Sequence, residues 1–120
     1  MMEIKELEAN YTYDSRLDVV NIEIKQDYQY EVSVDLEAGV FLHFDTDYFP
    51  GGLEIVDASK KIGVNKDFLM NPSGNVKIII SSDSINVDVI FQNNDVDGLL
   101  KLNTFGESFL PDLETNFALV

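Results

Sequence analysis

The chain contains no cysteine, which excludes disulfides, thiolate zinc sites and cysteine nucleophiles, and with them a small secreted fold held by cross-links. Tryptophan is also absent, and His43 is the single histidine. One imidazole cannot build a multi-histidine metal site, and a catalytic triad would have to rest on it alone. Basic residues are scarce. Eight Lys and Arg stand against twenty-two Asp and Glu, a net charge of -14, so a phosphate backbone or an anionic lipid surface would be repelled by almost every face. Neither nucleic acid nor a membrane surface is an expected partner. Long apolar runs are missing too. Near the start no more than two apolar residues follow one another, interrupted by Glu3, Glu6 and Glu8, so the expectation is neither a signal peptide nor a spanning helix, and a cytoplasmic location.

What is present can still build a core. The apolar fraction is 45%, with eight Phe and five Tyr among 120 residues, enough for one domain over residues 1–120 and inconsistent with an acidic disordered tail. The dominant signal is alternation with period two, which places apolar side chains on one face of a strand. Val20, Ile22 and Ile24 alternate with Asn21, Glu23 and Lys25, and Tyr30, Val32 and Val34 alternate with Glu31, Ser33 and Asp35. Residues 26–29 between them suit a hairpin connection. Val40, Leu42 and Phe44 form a third strand signal after a Glu37-Ala38-Gly39 turn, where glycine can supply a positive φ. Leu53 and Ile55 form a fourth, reached through Pro50-Gly51-Gly52, and Tyr11 and Tyr13 flank a short aromatic strand ahead of them all.

Asp57-Ala58-Ser59-Lys60-Lys61-Ile62-Gly63 predicts one short helix over residues 57–62, with Asp57 capping the first turn, lysines near the last and a glycine after it. Residues 65–75 are mixed, and Pro72-Ser73-Gly74 predicts a turn. A hairpin follows from Val76, Ile78 and Ile80 through residues 81–84 to Ile85, Val87, Val89 and Phe91. Residues 93–98 read as a polar turn, 99–102 as a short strand and 104–112 as a loop. Residues 116–120 are apolar at a terminus and predict a segment that either docks as an edge strand or covers a neighbour's surface. The whole reads as a mainly β domain, an antiparallel meander forming a small roll, barrel-like body or sandwich with one short helix.

Tyr13-Asp14 with Asp18, then Val20-Asn21-Ile22, then Gly39-Val40-Phe41-Leu42-His43-Phe44-Asp45 and Gly52-Leu53-Glu54-Ile55-Val56-Asp57-Ala58-Ser59 resemble the family known as domain of unknown function 2283. The resemblance covers residues 13–59 and places a family-like part at about 10–63, ahead of a β extension at about 64–120. It departs from the family's acidic-glycine turn at Asp47-Tyr48-Phe49-Pro50-Gly51. The family implies a small β-rich module of archaea and bacteria with no established enzymatic activity, some of whose members look like partners of small toxin-like proteins. That makes an antitoxin-like neutraliser of a basic protein the expected kind of role. It brings no catalytic residues and no cofactor.

Candidate sites can be read from the residues alone. Asp14 and Asp18 flank a tight turn in which carboxylates accept turn amides. His43, Asp45 and Asp47 would share one strand face and offer an acid-base or metal cluster, although that face is also the solvent face. Asn93, Asp95, Asp97 and Gly98 match the opening of a calcium loop, but Thr104 stands where the bidentate Glu belongs. Standard turn formers account for the same residues. Glu54 is expected to point outward. Tyr28, Tyr30, Tyr48 and Phe49, with Phe117, Leu119 and Val120 at the end of the chain, are the candidate protein-interface residues. Two functions follow: a non-enzymatic protein-interaction module that also self-associates as a homo-oligomer, or a metal-binding protein or small metal-dependent hydrolase built on Asp45, Asp47, Asn93, Asp95 and Asp97.

Overall fold

The computed structural model describes residues 3–107 and 109–120. Nine strands and two short helices follow one another as β1 (Glu3–Asp14), β2 (Val19–Ile24), β3 (Tyr30–Glu37), β4 (Val40–Asp45), β5 (Pro50–Val56), α1 (Ala58–Ile62), α2 (Lys66–Leu69), β6 (Ser73–Ile80), β7 (Ser84–Asn93), β8 (Val96–Phe105) and β9 (Leu113–Leu119). They form a single sheet in the order β3-β4-β5-β2-β1-β9-β6-β7-β8. The sheet curls into a nearly closed barrel. Its two ends, β3 and β8, approach one another without joining in a hydrogen-bonded ladder.

The period-two pattern does what it should. Val20, Ile22 and Ile24 face inward from β2, Val40, Leu42 and Phe44 from β4, and Ile85, Val87, Val89 and Phe91 from β7, all buried in one apolar cluster that also takes in Ala9, Leu53, Ile55 and Phe117. Burying side chains of this kind is worth about 1.5 to 3 kcal/mol each. Every neighbouring pair is antiparallel except β1 and β9, which run parallel from Glu3↔Leu113 to Ala9↔Leu119.

Several expectations need correction. Residues 26–29 do not close a hairpin, because β2 pairs with β1 on one side and β5 on the other, and the chain crosses to the outer edge to begin β3. The aromatic strand at Tyr11 and Tyr13 is the second half of a twelve-residue β1. Pro50, Gly51 and Gly52 lie within β5, where the β4 ladder shifts register next to His43 and Phe44. Ser73 and Gly74 begin β6; Gly74 takes φ 149, and a Cβ there would lie 2.0 Å from the Ile90 carbonyl oxygen. The strand at 99–102 extends over ten residues to Phe105, which shortens the loop expected from 104; Ser108 in that loop lies outside the described residues.

The C-terminal strand is not an edge. β9 hydrogen-bonds to β1 and to β6, and Phe117 is wholly buried. Only Val120 at its tip is strongly exposed. The helical region also differs. Asp57 is left-handed at φ 55 and makes no side-chain cap, so its backbone cannot present the carboxylate to the first turn. A second helix, α2, follows, capped by the Asn65 side chain accepting the Phe68 amide. Ile62, Phe68 and Leu69 bury against one end of the barrel, and the Tyr11 hydroxyl donates to the Leu69 carbonyl at 2.6 Å.

Candidate functional site

The Asp14 to Asp18 turn is an organised structural device. Asp14 Oδ1 accepts the amides of Arg16 and Leu17, while the Arg16 side chain stays exposed 3.9 Å from the same oxygen. Asp18 is buried and left-handed at φ 56. Its carboxylate accepts the Tyr13 hydroxyl at 2.7 Å and both the amide and the hydroxyl of Ser59. Burial pushes the Asp18 carboxyl up, but the hydrogen bonds from Ser59 and Tyr13, with Lys66 nearby, hold it below its ordinary value. Tyr13 is held well above the usual phenol range by burial and by its bond to Asp18. Asp18, not Asp57, therefore satisfies the first turn of α1.

His43 and Asp45 lie on the outer face of β4, opposite the buried Val40, Leu42 and Phe44. Asp47 does not continue that row, because β4 ends at Asp45 and the chain turns. Asp45 Oδ1 accepts the amides of Asp47 at 2.8 Å and Phe49 at 3.0 Å, and Tyr48 sits left-handed at φ 61. His43 instead joins a surface chain in which Tyr30 Oη bonds Ser33 Oγ at 2.8 Å and Ser33 Oγ bonds His43 Nδ1 at 2.6 Å. Tyr28 lies across Gly51 and Gly52, close enough that a Cβ on Gly51 would meet its ring at 2.9 Å. Burial first, then Glu23, Tyr30 and Asp45, raise the Tyr28 hydroxyl. Glu54 faces away from the buried Leu53 and Ile55.

Residues 93–98 form a tight hairpin. Asn93 pairs with Val96 across Asn94 and Asp95, both with positive φ, as a two-residue turn between twisted strands requires. Gly98 is in the β8 ladder, and the Asn93 amide donates to the Phe68 carbonyl. Among the described residues, no three His, Asp or Glu side chains are grouped so as to hold a metal ion.

Two features went unread in the sequence. The outer face of β7 and β8 carries an exposed apolar pair, Ile90 opposite Leu99, with Asp88 opposite Lys101 on one side and Gln92 opposite Asp97 on the other. Val96 and Phe105 at the ends of β8 are exposed too, Phe105 by 89%. A groove of about 370 Å³ runs beside Val96, between the β7–β8 turn and Val64, Asp67 and Phe68. The signal was available: Leu99-Leu100 and Val96 place apolar residues on both faces of one strand. At the opposite end of the barrel Tyr48 packs edge-on against Phe109, ring centroids 5.1 Å apart.

Comparison with known proteins adds one likeness. Residues 10–59 match the family described as "Protein of unknown function (DUF2283)". The matched span starts within β1, includes β2 to β5, and stops at Ser59, the residue that Asp18 holds. Strands β6 to β9 lie beyond it. No curated protein and no solved structure matches the chain. No helix among the described residues is long and apolar enough to cross a membrane.

Proposed function

We propose that this protein is a non-enzymatic interaction module that captures a basic protein partner on the outer face of β7 and β8. The observation that carries the reading is the exposed Ile90–Leu99 pair on the outer face of β7 and β8, in a chain of net charge -14. Apolar side chains ringed by polar ones are the anatomy of a protein interface, in which a desolvated centre supplies affinity and the rim supplies register. Asp97 stands on this face and Asp88 beside it, opposite Lys101, and in so acidic a chain the surroundings favour lysine and arginine on the partner. A field of one sign also accelerates encounter with a basic protein. Neutralising such a partner is a role that fits the acidic charge, and self-association through the C-terminal strand is not part of the reading, since β9 is paired on both sides.

The test is affinity capture of the tagged full chain from its native lysate at low and at moderate salt, beside a Leu99→Asp variant, with bound proteins identified by mass spectrometry. One basic protein, depleted as salt rises and lost with the variant, is expected. No enrichment at either salt, or equal capture by the variant, would sink the reading.

A further inference from the structure

The barrel has a seam, and the two strands that flank it are built differently. β3 and β8 come within 8 Å of one another between Cα atoms, yet among the described residues each is paired on one side only. β3 is a blunted edge. Its ladder with β4 is broken by register shifts between Tyr30 and Val32 and between Asp35 and Glu37, and Glu31, Asp35 and Glu37 are exposed along it with no basic residue among them. Irregular, charged edges of this kind keep other strands from adding to a sheet. β8 has neither bulge nor proline over its ten residues, and its register with β7 is unbroken from Ser84↔Phe105 to Asn93↔Val96. Its one lysine, Lys101, stands opposite Asp88. A long, regular edge with apolar side chains on both faces is a template for one more strand.

The seam is also open toward the core. Val32 and Val34 lie opposite Phe44 and Leu42, which are wholly buried, so both valines face inward. They are only half-buried, whereas Leu36 further along β3 is 6% exposed. Covering the rest of their apolar surface would stabilise whatever covers it. At the far end of β8, Phe105 is 89% exposed.

We propose that the seam takes an extended segment of a basic partner as a tenth strand, hydrogen-bonded to β8 and lying against β3. Backbone pairing with β8 fixes the segment's direction and register. Its side chains then alternate between two environments. One row is apolar and meets Val32 and Val34, and the other faces outward beside Asp35, where lysine or arginine is favoured and a carboxylate would stand opposite like charge. Two strands on either side of a third lie roughly 9.6 Å apart, twice the usual spacing, so the seam widens where β3 and β8 are nearest. A second copy of this chain is the poorer occupant, because it brings its own net charge of -14 to the same seam. The inference rests on the reading above for the charge of the partner, and it adds how that partner is held, on the strand that carries Leu99.

The experiment is titration of the full chain with a fluorescently labelled peptide of alternating valine and lysine, about eight residues long, at moderate salt, with amide hydrogen exchange of the protein followed by NMR. Saturable binding is expected, together with exchange slowed by about tenfold or more at those β8 amides that do not pair with β7. Two versions of the peptide carry N-methyl groups on alternate residues, one for each edge of the strand, which keeps charge and side chains but removes the donors of that edge. One of the two should bind about tenfold more weakly or worse, and glutamate in place of lysine should abolish binding. Val32→Asp should weaken binding by a similar factor. The methylated peptides leave the protein untouched, so their result stands even where that variant fails to fold. Undiminished binding by both methylated versions, or binding without slowed exchange in β8, overturns the proposal, since a polycation on an acidic surface would behave in that way. So does slowed exchange in β8 that grows with protein concentration alone, which would give the seam to a second copy. A basic protein captured through Leu99 with no protection at the edge of β8 removes this inference and leaves the reading above, whereas strand addition by the peptide with no captured protein does the reverse.

Discussion

Asp18 holds Ser59 through both carboxylate oxygens, Oδ1 accepting the backbone amide at 3.0 Å and Oδ2 the hydroxyl at 2.7 Å, across 41 residues of chain. The bond ties the β1–β2 turn to the start of α1, where the left-handed Asp57 cannot cap. Asp18→Asn removes the charge, so the loss at neutral pH should be about 2 kcal/mol. The sign of its pH dependence follows from the shift. The Asp18 carboxyl is held below its ordinary 3.8 in the folded protein, so its contribution is fully present above that value and is lost as pH falls through the lower folded one. The stability gap between the native chain and Asp18→Asn should therefore be constant from about pH 7 to pH 5 and shrink below about pH 4. Urea unfolding across that range measures it, and a gap that stays constant down to about pH 2 would refute the assignment.

Gly74 and Gly63 make a matched pair of tests. Both have positive φ, but a Cβ on Gly74 would strike the Ile90 carbonyl at 2.0 Å, whereas a Cβ on Gly63 meets nothing within 4 Å. Gly63→Ala should cost only the left-handed conformation, about 1 to 2 kcal/mol. Gly74→Ala must also push β6 away from β7, and the expected loss exceeds about 3 kcal/mol. Denaturant midpoints for the two variants should differ in that order. Equal midpoints would mean that the β6–β7 ladder yields locally.

How much of this was legible in the sequence depends on the kind of contact involved. β2, β4 and β7 were readable because Ile22, Phe44 and Val87 sit in unbroken alternation. Of β9 only residues 116–120 were readable as a strand, because Thr115 occupies a core position and breaks the apolar row that begins at Leu113. Strand order was beyond reach: the parallel pairing of Ala9 with Leu119 joins distant parts of the chain, and no local pattern encodes it. The Asp14–Asp18 turn was recognised, yet the bond from Asp18 to Ser59 is tertiary. Asp45 and Asp47 were noticed as a pair. Asp47 leaves their common row because the chain turns after β4, and the seat of Thr115 depends on the barrel closing.

Because β9 lies between β1 and β6, deleting residues 116–120 should unfold the chain, not merely change its association. The deletion removes Phe117, whose replacement by Ala alone would cost about 3 to 5 kcal/mol, and half of two ladders. Loss of near-ultraviolet circular dichroism and of dispersed amide resonances is the expected result. A truncated protein that folds and differs only in light scattering would show that β9 is dispensable to the sheet.

The Asn94-Asp95 turn separates a hairpin role from an ion-binding one. Both residues have positive φ, 49 and 64, which glycine adopts more cheaply than aspartate. If Asp95 serves only the turn, Asp95→Gly should stabilise the protein by about 0.5 to 1 kcal/mol, raising the melting temperature by roughly 2 to 5 °C. A calcium ligand would behave in the opposite way, since its removal would abolish any rise in melting temperature produced by the ion. Thermal unfolding of both proteins with and without millimolar Ca²⁺ distinguishes the two. The expected pattern is a higher melting temperature for Asp95→Gly and the same small ionic effect on each, because Gly98 is locked in the ladder opposite Phe91 and does not make the sharp turn of a calcium loop.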